Sequence, residues 1–214
     1  MEKKYIKMGL SFQISQDVSN KAISISKKFG SKYKSKFVLD GKNFYPHITI
    51  YPPYYPVDNL QQVFKAIGRV SNNLKTIKMV FSKVESKYGY VAVGFKLNPE
   101  VKKLHELMLE TLSPLRDGYI DVKYSTSEYK ERFSDKELEN IEKYGYAHVM
   151  DLYVNPHISL MRLESESKAK ELASEIEWDI KTFMIDKLVL HRIGKNGGAV
   201  EVIKEFKLGS LNSS

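Results

Sequence analysis

Pro46-His47-Ile48-Thr49-Ile50 recurs 110 positions later as Pro156-His157-Ile158-Ser159-Leu160, so one chain carries the same string twice, an imidazole two places before a hydroxyl. On an extended strand successive side chains alternate faces. His47 and Thr49 therefore project from one side of their strand, and His157 and Ser159 from one side of theirs. Each strand offers one proton carrier and one hydrogen-bond donor. Two such strands facing each other would surround a small anionic group with a base, an acid and two hydroxyls, with no metal required.

Length and composition bound what can hold these strands. The 214 residues, 42% hydrophobic and 12% aromatic, suffice for a packed core in one large domain or two small lobes. No run of about eighteen apolar residues occurs, and Met1-Glu2-Lys3-Lys4-Tyr5 leads into alternating sequence without a signal-peptide core. These features predict a soluble, cytoplasmic protein with no membrane association, and no feature calls for an obligate protein partner. The absence of cysteine excludes disulfides, thiolate metal sites and cysteine nucleophiles. The net charge of +8 is unevenly placed: ten lysines and three acidic residues give residues 1–50 a charge of +7 and leave +1 for the remainder. A basic surface beside a site concentrates polyanions and favours nucleotide or RNA substrates, although a lysine-rich solvated face has the same composition.

Periodicity places both strings on strands between helices. Tyr5 to Ile14 alternates as a strand, and Ser15 opens an amphipathic helix that ends near Gly30. The first histidine strand, about 45–51, is stopped by Pro52-Pro53 and Pro56. Asp58 and Gln61 form a capping-box pattern ahead of a helix through Val63, Phe64, Ile67 and Val70. Residues 74–84 and 88–97 alternate as two strands about a turn at Lys87 to Gly89. Asn98-Pro99 begins a helix with Val101, Leu104, Met108 and Leu112 as its buried stripe. Residues 116–150 are rich in charge and tyrosine, with Ser134 and Glu137 capping a short helix that ends at Gly145. The second histidine strand, about 153–162, precedes a helix at 166–177 and two last strands at 180–193 and 199–208, turning at Asn196-Gly197-Gly198. Helix, histidine strand, helix and two strands thus recur in both halves, a divergent duplication. Such an order predicts an α+β protein of two similar lobes with one motif entering the cleft from each side.

Paired histidines suit phosphoryl chemistry. Displacement at phosphorus needs one group to take a proton from the incoming oxygen and another to give one to the departing oxygen. An imidazole with a pKa near 6.5 does either. Thr49 and Ser159 would donate to the phosphoryl oxygens as charge develops on them. Zinc is disfavoured because a catalytic site needs three protein ligands, and the pattern His-x-His-x-His is absent. His105 and His191 read as packing residues, and His148 as structural with a substrate contact open to it. Tyr51 shares a face with His47 and Thr49 if the strand persists that far. With Tyr54, and with Tyr55, Tyr119, Tyr124, Tyr129, Phe133, Tyr144 and Tyr146 nearby, it could stack on a base, though most tyrosines are half-buried packing. Lys42 and Arg162 are the candidate phosphate contacts.

The two strings, each of the form Pro-His-Ile-[Ser/Thr]-[Ile/Leu] on a strand, and the second continuing to Arg162, resemble the signature of the 2H phosphoesterase superfamily. That group includes bacterial LigT-type RNA 2',3'-cyclic phosphodiesterases and the so-called 2'-5' RNA ligases. The resemblance implies a bilobal, pseudo-symmetric LigT-like fold over residues 1–214, with mostly antiparallel sheets, flanking helices and a central active-site cleft. It further implies cleavage of a 2'-containing or cyclic phosphodiester by His47, Thr49, His157 and Ser159 without a cofactor. The substrate would be an RNA 2',3'-cyclic phosphate, a 2'-5' linkage or a cyclic nucleotide messenger. The family usually spaces its motifs more closely, so residues 116–150 read as an insertion or lid, which would suit a closed pocket around a small nucleotide. A non-catalytic RNA- or nucleotide-binding module using the same fold is the alternative.

Overall fold

The strands divide between two antiparallel sheets, and the division does not follow the halves of the chain. The structure, a computed structural model, describes residues 3–209, without the side chains of Glu128, Tyr129, Lys130 and Lys195; a role for Tyr129 at the cleft therefore lies outside the described residues. In the first sheet β1 (Tyr5–Phe12) lies between β2 (Ile48–Tyr51) and β8 (Lys187–Ile193), β9 (Ala199–Lys207) lies beyond β8, and β3 (Tyr54–Pro56) pairs with the start of β1. The second sheet runs β6 (His157–Arg162), β5 (Tyr90–Phe95), β4 (Ile77–Lys87) and β7 (Thr182–Ile185). Each sheet takes strands from both halves of the sequence. The expected repeat of helix, histidine strand, helix and two strands is not matched element for element, because three strands follow α6 (Glu166–Glu175) and the strands of the two halves are interleaved.

One expected strand is in fact two. The stretch 180–193 breaks at Asp186, so that β7 completes the second sheet and β8 enters the first. The burial pattern records the break: Phe183 and Ile185 are buried with exposed neighbours in strict alternation, and then Leu188, Val189 and Leu190 are buried in succession. A period-2 pattern that slips phase cannot continue on one face.

The helices follow the same exchange. α1 (Gln16–Lys32) packs on β6, and α6 (Glu166–Glu175) on β4 and β5, so both cover the second sheet. α2 (Leu60–Asn72) packs on β9, and α3 (Pro99–Leu112) on β2. Met8, Leu10 and Phe12 of β1 share one core with Ile48, Ile50, Val63, Ile67, Leu104 and Met108. Each such side chain removed from water contributes roughly 1.5 to 3 kcal/mol. Asn98 caps α3 through Val101 N–H at 2.8 Å. The Asp58–Gln61 capping box does not form. Val57–Asn59 makes a 3-10 turn instead, and Asn59, whose side chain makes no cap bond, precedes α2.

Residues 116–150 carry α4 (Ser127–Arg132) and α5 (Asp135–Tyr144), with a small cluster of their own around Tyr124, Ile141 and Ala147. The capping box of Ser134 and Glu137 starts α5 as the sequence predicts. The segment is tied down at Arg116, which is 2% exposed and donates to the carbonyls of Lys143 and Tyr119 at 3.0 and 2.5 Å. Gly145 ends α5 at φ +72, and a Cβ there would stand 2.5 Å from Arg116 Nε. Gly145→Ala adds left-handed strain to a clash with a buried guanidinium, and a loss of about 2 kcal/mol is expected in urea denaturation.

Candidate active site

β2 and β6 are the outermost strands of their sheets, and they pack against each other where the sheets meet. The two motifs therefore arrive side by side from opposite lobes. Their local geometry is the same. His47 Nδ1 lies 2.8 Å from the carbonyl of Tyr45, and His157 Nδ1 lies 2.8 Å from the carbonyl of Asn155. A carbonyl only accepts, so in each ring Nδ1 carries the proton and Nε2 is left with the lone pair. Among the described residues the Thr49 and Ser159 hydroxyls have no hydrogen-bond partner, and Thr49 is fixed through its carbonyl, which accepts from Tyr153 Oη at 3.0 Å.

A second likeness was not legible in the strings. Each motif strand carries a β-bulge immediately after its hydroxyl residue. Ser11 and Leu10, adjacent on β1, face Thr49 and Tyr51, leaving Ile50 as the extra residue. Ala92 and Val91, adjacent on β5, face Ser159 and Met161, leaving Leu160 as the extra residue. A bulge resets alternation. Tyr51 is consequently turned into the core, fully buried, and its hydroxyl donates to the carbonyl of Tyr144 at 2.6 Å. The expectation that Tyr51 lines the cleft with His47 and Thr49 is corrected by this reset; it anchors the 116–150 segment to β2. The same reset brings Arg162 back to the face of His157 and Ser159, which simple alternation would have denied it. Its guanidinium lies 4.7 Å over the ring of Tyr90 and has no carboxylate partner among the described residues.

The other expected contacts lie elsewhere. Tyr54 sits beneath Lys7 and 5.2 Å from the ring of Tyr119, engaged with the 116–150 segment. Lys42 is exposed on a turn in which Asp40 accepts from the backbone N–H groups of Lys42, Asn43 and Phe44. The lysine-rich connection from α1 to β2 runs past the second motif: Lys36 N–H donates to the Arg162 carbonyl at 2.8 Å.

Two histidines change their reading. His191, on β8, is 2% exposed, and its ring lies 5.6 Å from that of His47. Its burial, with the charge of His47 beside it, pulls its pKa down to about 3. Sequence reasoning treated it as packing because Val189 and Ile193 flank it on one strand face. His47 is half-buried, and that burial lowers its own pKa, with a smaller push from His157 and an opposing pull from the Tyr45 carbonyl. His157 is exposed. His148 stands at the end of the 116–150 segment, 3.5 Å from Glu137, and the charges of Lys87 and His157 act on it. His105 is structural as predicted: it donates from Nδ1 to the Ile50 carbonyl, accepts from Met150 N–H at Nε2, both at 3.0 Å, and stacks 3.9 Å from Tyr153. Among the described residues no group of three or more acidic, histidine or cysteine side chains is placed to hold a metal ion, and no helix is long and apolar enough to cross a membrane.

No protein-family model and no curated protein matches the sequence. The fold, however, matches solved structures over nearly the whole chain. E. coli LigT in its apo form superposes with a TM-score of 0.57 at 10% identity, covering 96% of this chain and 98% of that one. LigT with 3'-AMP gives 0.55 at 11%, covering 96% and 99%. TT0787 of Thermus thermophilus gives 0.54 at 11%, covering 97% and 100%. The chain thus has an α+β fold of two antiparallel sheets with flanking helices. It is the LigT-like fold that the resemblance of the paired motifs implied.

Two outcomes follow for stability. Tyr51→Phe leaves the Tyr144 carbonyl without its donor in a buried setting and should cost about 1 to 2 kcal/mol in urea denaturation, with KM unchanged for any substrate turned over. His105 is 1% exposed and its pKa is lowered by burial to about 4. The unfolded chain therefore binds a proton between pH 6.5 and 4 that the folded chain refuses, and stability falls with pH across that window. His105→Gln should remove about 3 kcal/mol of this acid sensitivity, read as the difference in unfolding free energy between pH 7 and pH 4.

Proposed function

We propose that this protein is a phosphodiesterase that cleaves a 2'-containing or cyclic phosphodiester of a nucleotide by paired-histidine acid–base catalysis, without a metal ion. The observation that carries the reading is the matched anchoring of His47 and His157. Each Nδ1 is bound to the carbonyl two residues upstream, each strand holds a hydroxyl two residues downstream that is unengaged among the described residues, and β2 packs against β6 closely enough for the charge of His157 to act on His47. Two imidazoles with free Nε2 atoms on opposite lobes are the arrangement in-line displacement asks for. One takes the proton of the attacking oxygen and the other protonates the leaving oxygen. Thr49 and Ser159 stand where they can donate to the non-bridging oxygens as negative charge builds.

The substrate class rests on weaker supports that agree. The guanidinium of Arg162, free of carboxylates among the described residues and lying over Tyr90, provides a cation on the face of the second motif. The basic α1–β2 connection is bonded to the Arg162 backbone, which favours an anionic partner. LigT has been solved with 3'-AMP and with ATP at TM-scores of 0.55 and 0.54, and we extend nucleotide binding to this chain by analogy of fold. The segment 116–150 ends with Tyr146 and His148, whose rings touch, and the charge of His157 acts on His148, which supports reading the segment as an insertion beside the paired histidines. Terminal 2',3'-cyclic phosphates, 2'-5' linkages and cyclic nucleotide messengers are the compounds to try.

A product-resolved assay of those three classes in excess EDTA tests the reading. Cleavage should persist in the chelator, and His47→Ala and His157→Ala should each lower kcat by about 10² to 10⁴. Nucleotide binding with no turnover by wild type in any class would make the protein a binding module instead. Turnover unchanged in both variants would remove the histidines from the chemistry.

A further inference from the structure

The two motif histidines are matched in sequence and in anchoring, yet their surroundings differ. His157 is exposed and has no ring packed on it among the described residues. His47 is half-buried, and a second imidazole lies against it: the His191 ring, 5.6 Å away and inclined by 49°. His191 is directly opposite Gly9 on β1, and the space beside that glycine is filled by Ile193. Tyr45 closes the other side of His191 at 5.9 Å. His191 is thereby enclosed to 2% exposure, and its Nδ1 is buried with no hydrogen-bond partner.

We propose that His191 is a positioning residue that keeps His47 the neutral, proton-accepting imidazole of the cleft, so that His157 is the proton donor. The inference rests on the phosphodiesterase reading and deepens it. An imidazolium needs water or an anion around it. His191 occupies the side of His47 from which water would otherwise solvate that charge, and it supplies no carboxylate in exchange. The titratable groups facing His47 are Tyr45 upstream, His191 from β8 and His157 from β6, and none is an acid that would stabilise a cation there. Arg192, the neighbour of His191, points away to Glu201 at 2.6 Å. His157, the exposed ring, is the one that water can hydrate as an imidazolium. The lowered pKa of both His47 and His191, caused first by burial, agrees with this distribution.

The proton count then closes. As the attacking hydroxyl oxygen bonds to phosphorus, its proton passes to His47 Nε2. As the bond from phosphorus to the leaving oxygen breaks, His157 Nε2–H protonates that oxygen. The enzyme ends with its single proton on the other ring, and exchange with solvent restores the starting state.

A leaving group that departs without a proton separates the roles. The substrate is a nucleoside 3'-(p-nitrophenyl phosphate), whose 2' hydroxyl attacks and whose nitrophenolate leaves as an anion. On it His157→Ala should recover to within about tenfold of wild type, whereas His47→Ala should stay down by about a hundredfold or more. Recovery of His47→Ala instead, or equal losses in both, would overturn the assignment. Wild type inactive on this ester and on all natural linkages would instead reject the phosphodiesterase reading itself. The positioning role is read from the pH dependence of kcat/KM. His191→Ser admits water beside His47 and should move the acidic limb upward by about one unit with the alkaline limb unmoved. A soluble, folded His191→Ser protein with a wild-type acidic limb would remove His191 from the proposal, and a simple packing defect would lower the rate without moving the limb.

Discussion

The paired-histidine arrangement depends on a short bond that each motif histidine makes backward along its own chain, from Nδ1 to the carbonyl two residues earlier. The bond is local, so it needs no partner from elsewhere in the fold, and it fixes three things together: the ring orientation, the tautomer and the direction of the free nitrogen. Pro46 and Pro156, which have no N–H, lie inside each of these loops, and their restricted φ stiffens the two-residue span that the bond closes. The rest of the fold has only to bring two such preset units together. It does so by making β2 and β6 the outer strands of separate sheets that meet along those edges.

The bulges behind the hydroxyl residues are the next layer of the same device. By inserting one residue into each strand, they let two consecutive apolar side chains enter the core, Ile50 with Tyr51 and Leu160 with Met161, all buried to 1% exposure or less. The motif residues remain on the cleft face while the strand beyond them is gripped from behind. In the second lobe the phase change also brings Arg162 to the strand face of His157 and Ser159. In the first lobe the corresponding position is Pro52, which carries no charge. The two lobes thus share a frame and differ in what the frame displays, as the contrast between exposed His157 and enclosed His47 also shows.

Much of this was legible in the residues. The duplicated strings, the element order and the alternation of hydrophobic positions pointed to two lobes and an α+β fold, and the Ser134–Glu137 and Asn98-Pro99 signals located helix starts that the structure has. What was hidden was hidden for physical reasons. A bulge depends on the partner strand as much as on the strand that contains it, so nothing in Ile50-Tyr51 announces that Tyr51 turns inward. Asp186 reads as one residue of a strand until burial on both sides reveals a change of sheet. His191 shares a face with Val189 and Ile193 and looks like packing from the sequence, because its neighbour His47 comes from a segment well over a hundred residues earlier. Tyr54 and Lys42 were plausible from composition, but a side chain's destination is set by contacts that composition does not encode.

The passage of the chain from β7 to β8 at Asp186 also governs the order in which the molecule can be completed during synthesis. All strands of the second sheet have been made once residue 185 has left the ribosome, whereas β1, made before any of them, waits for β8 and β9, which are made after all of them. Until then the ladder of β1 is open along the side where His191 will sit. The nascent protein thus holds its second motif on a finished support and its first on an unfinished one. The half that carries His47 is completed only after the half that carries His157.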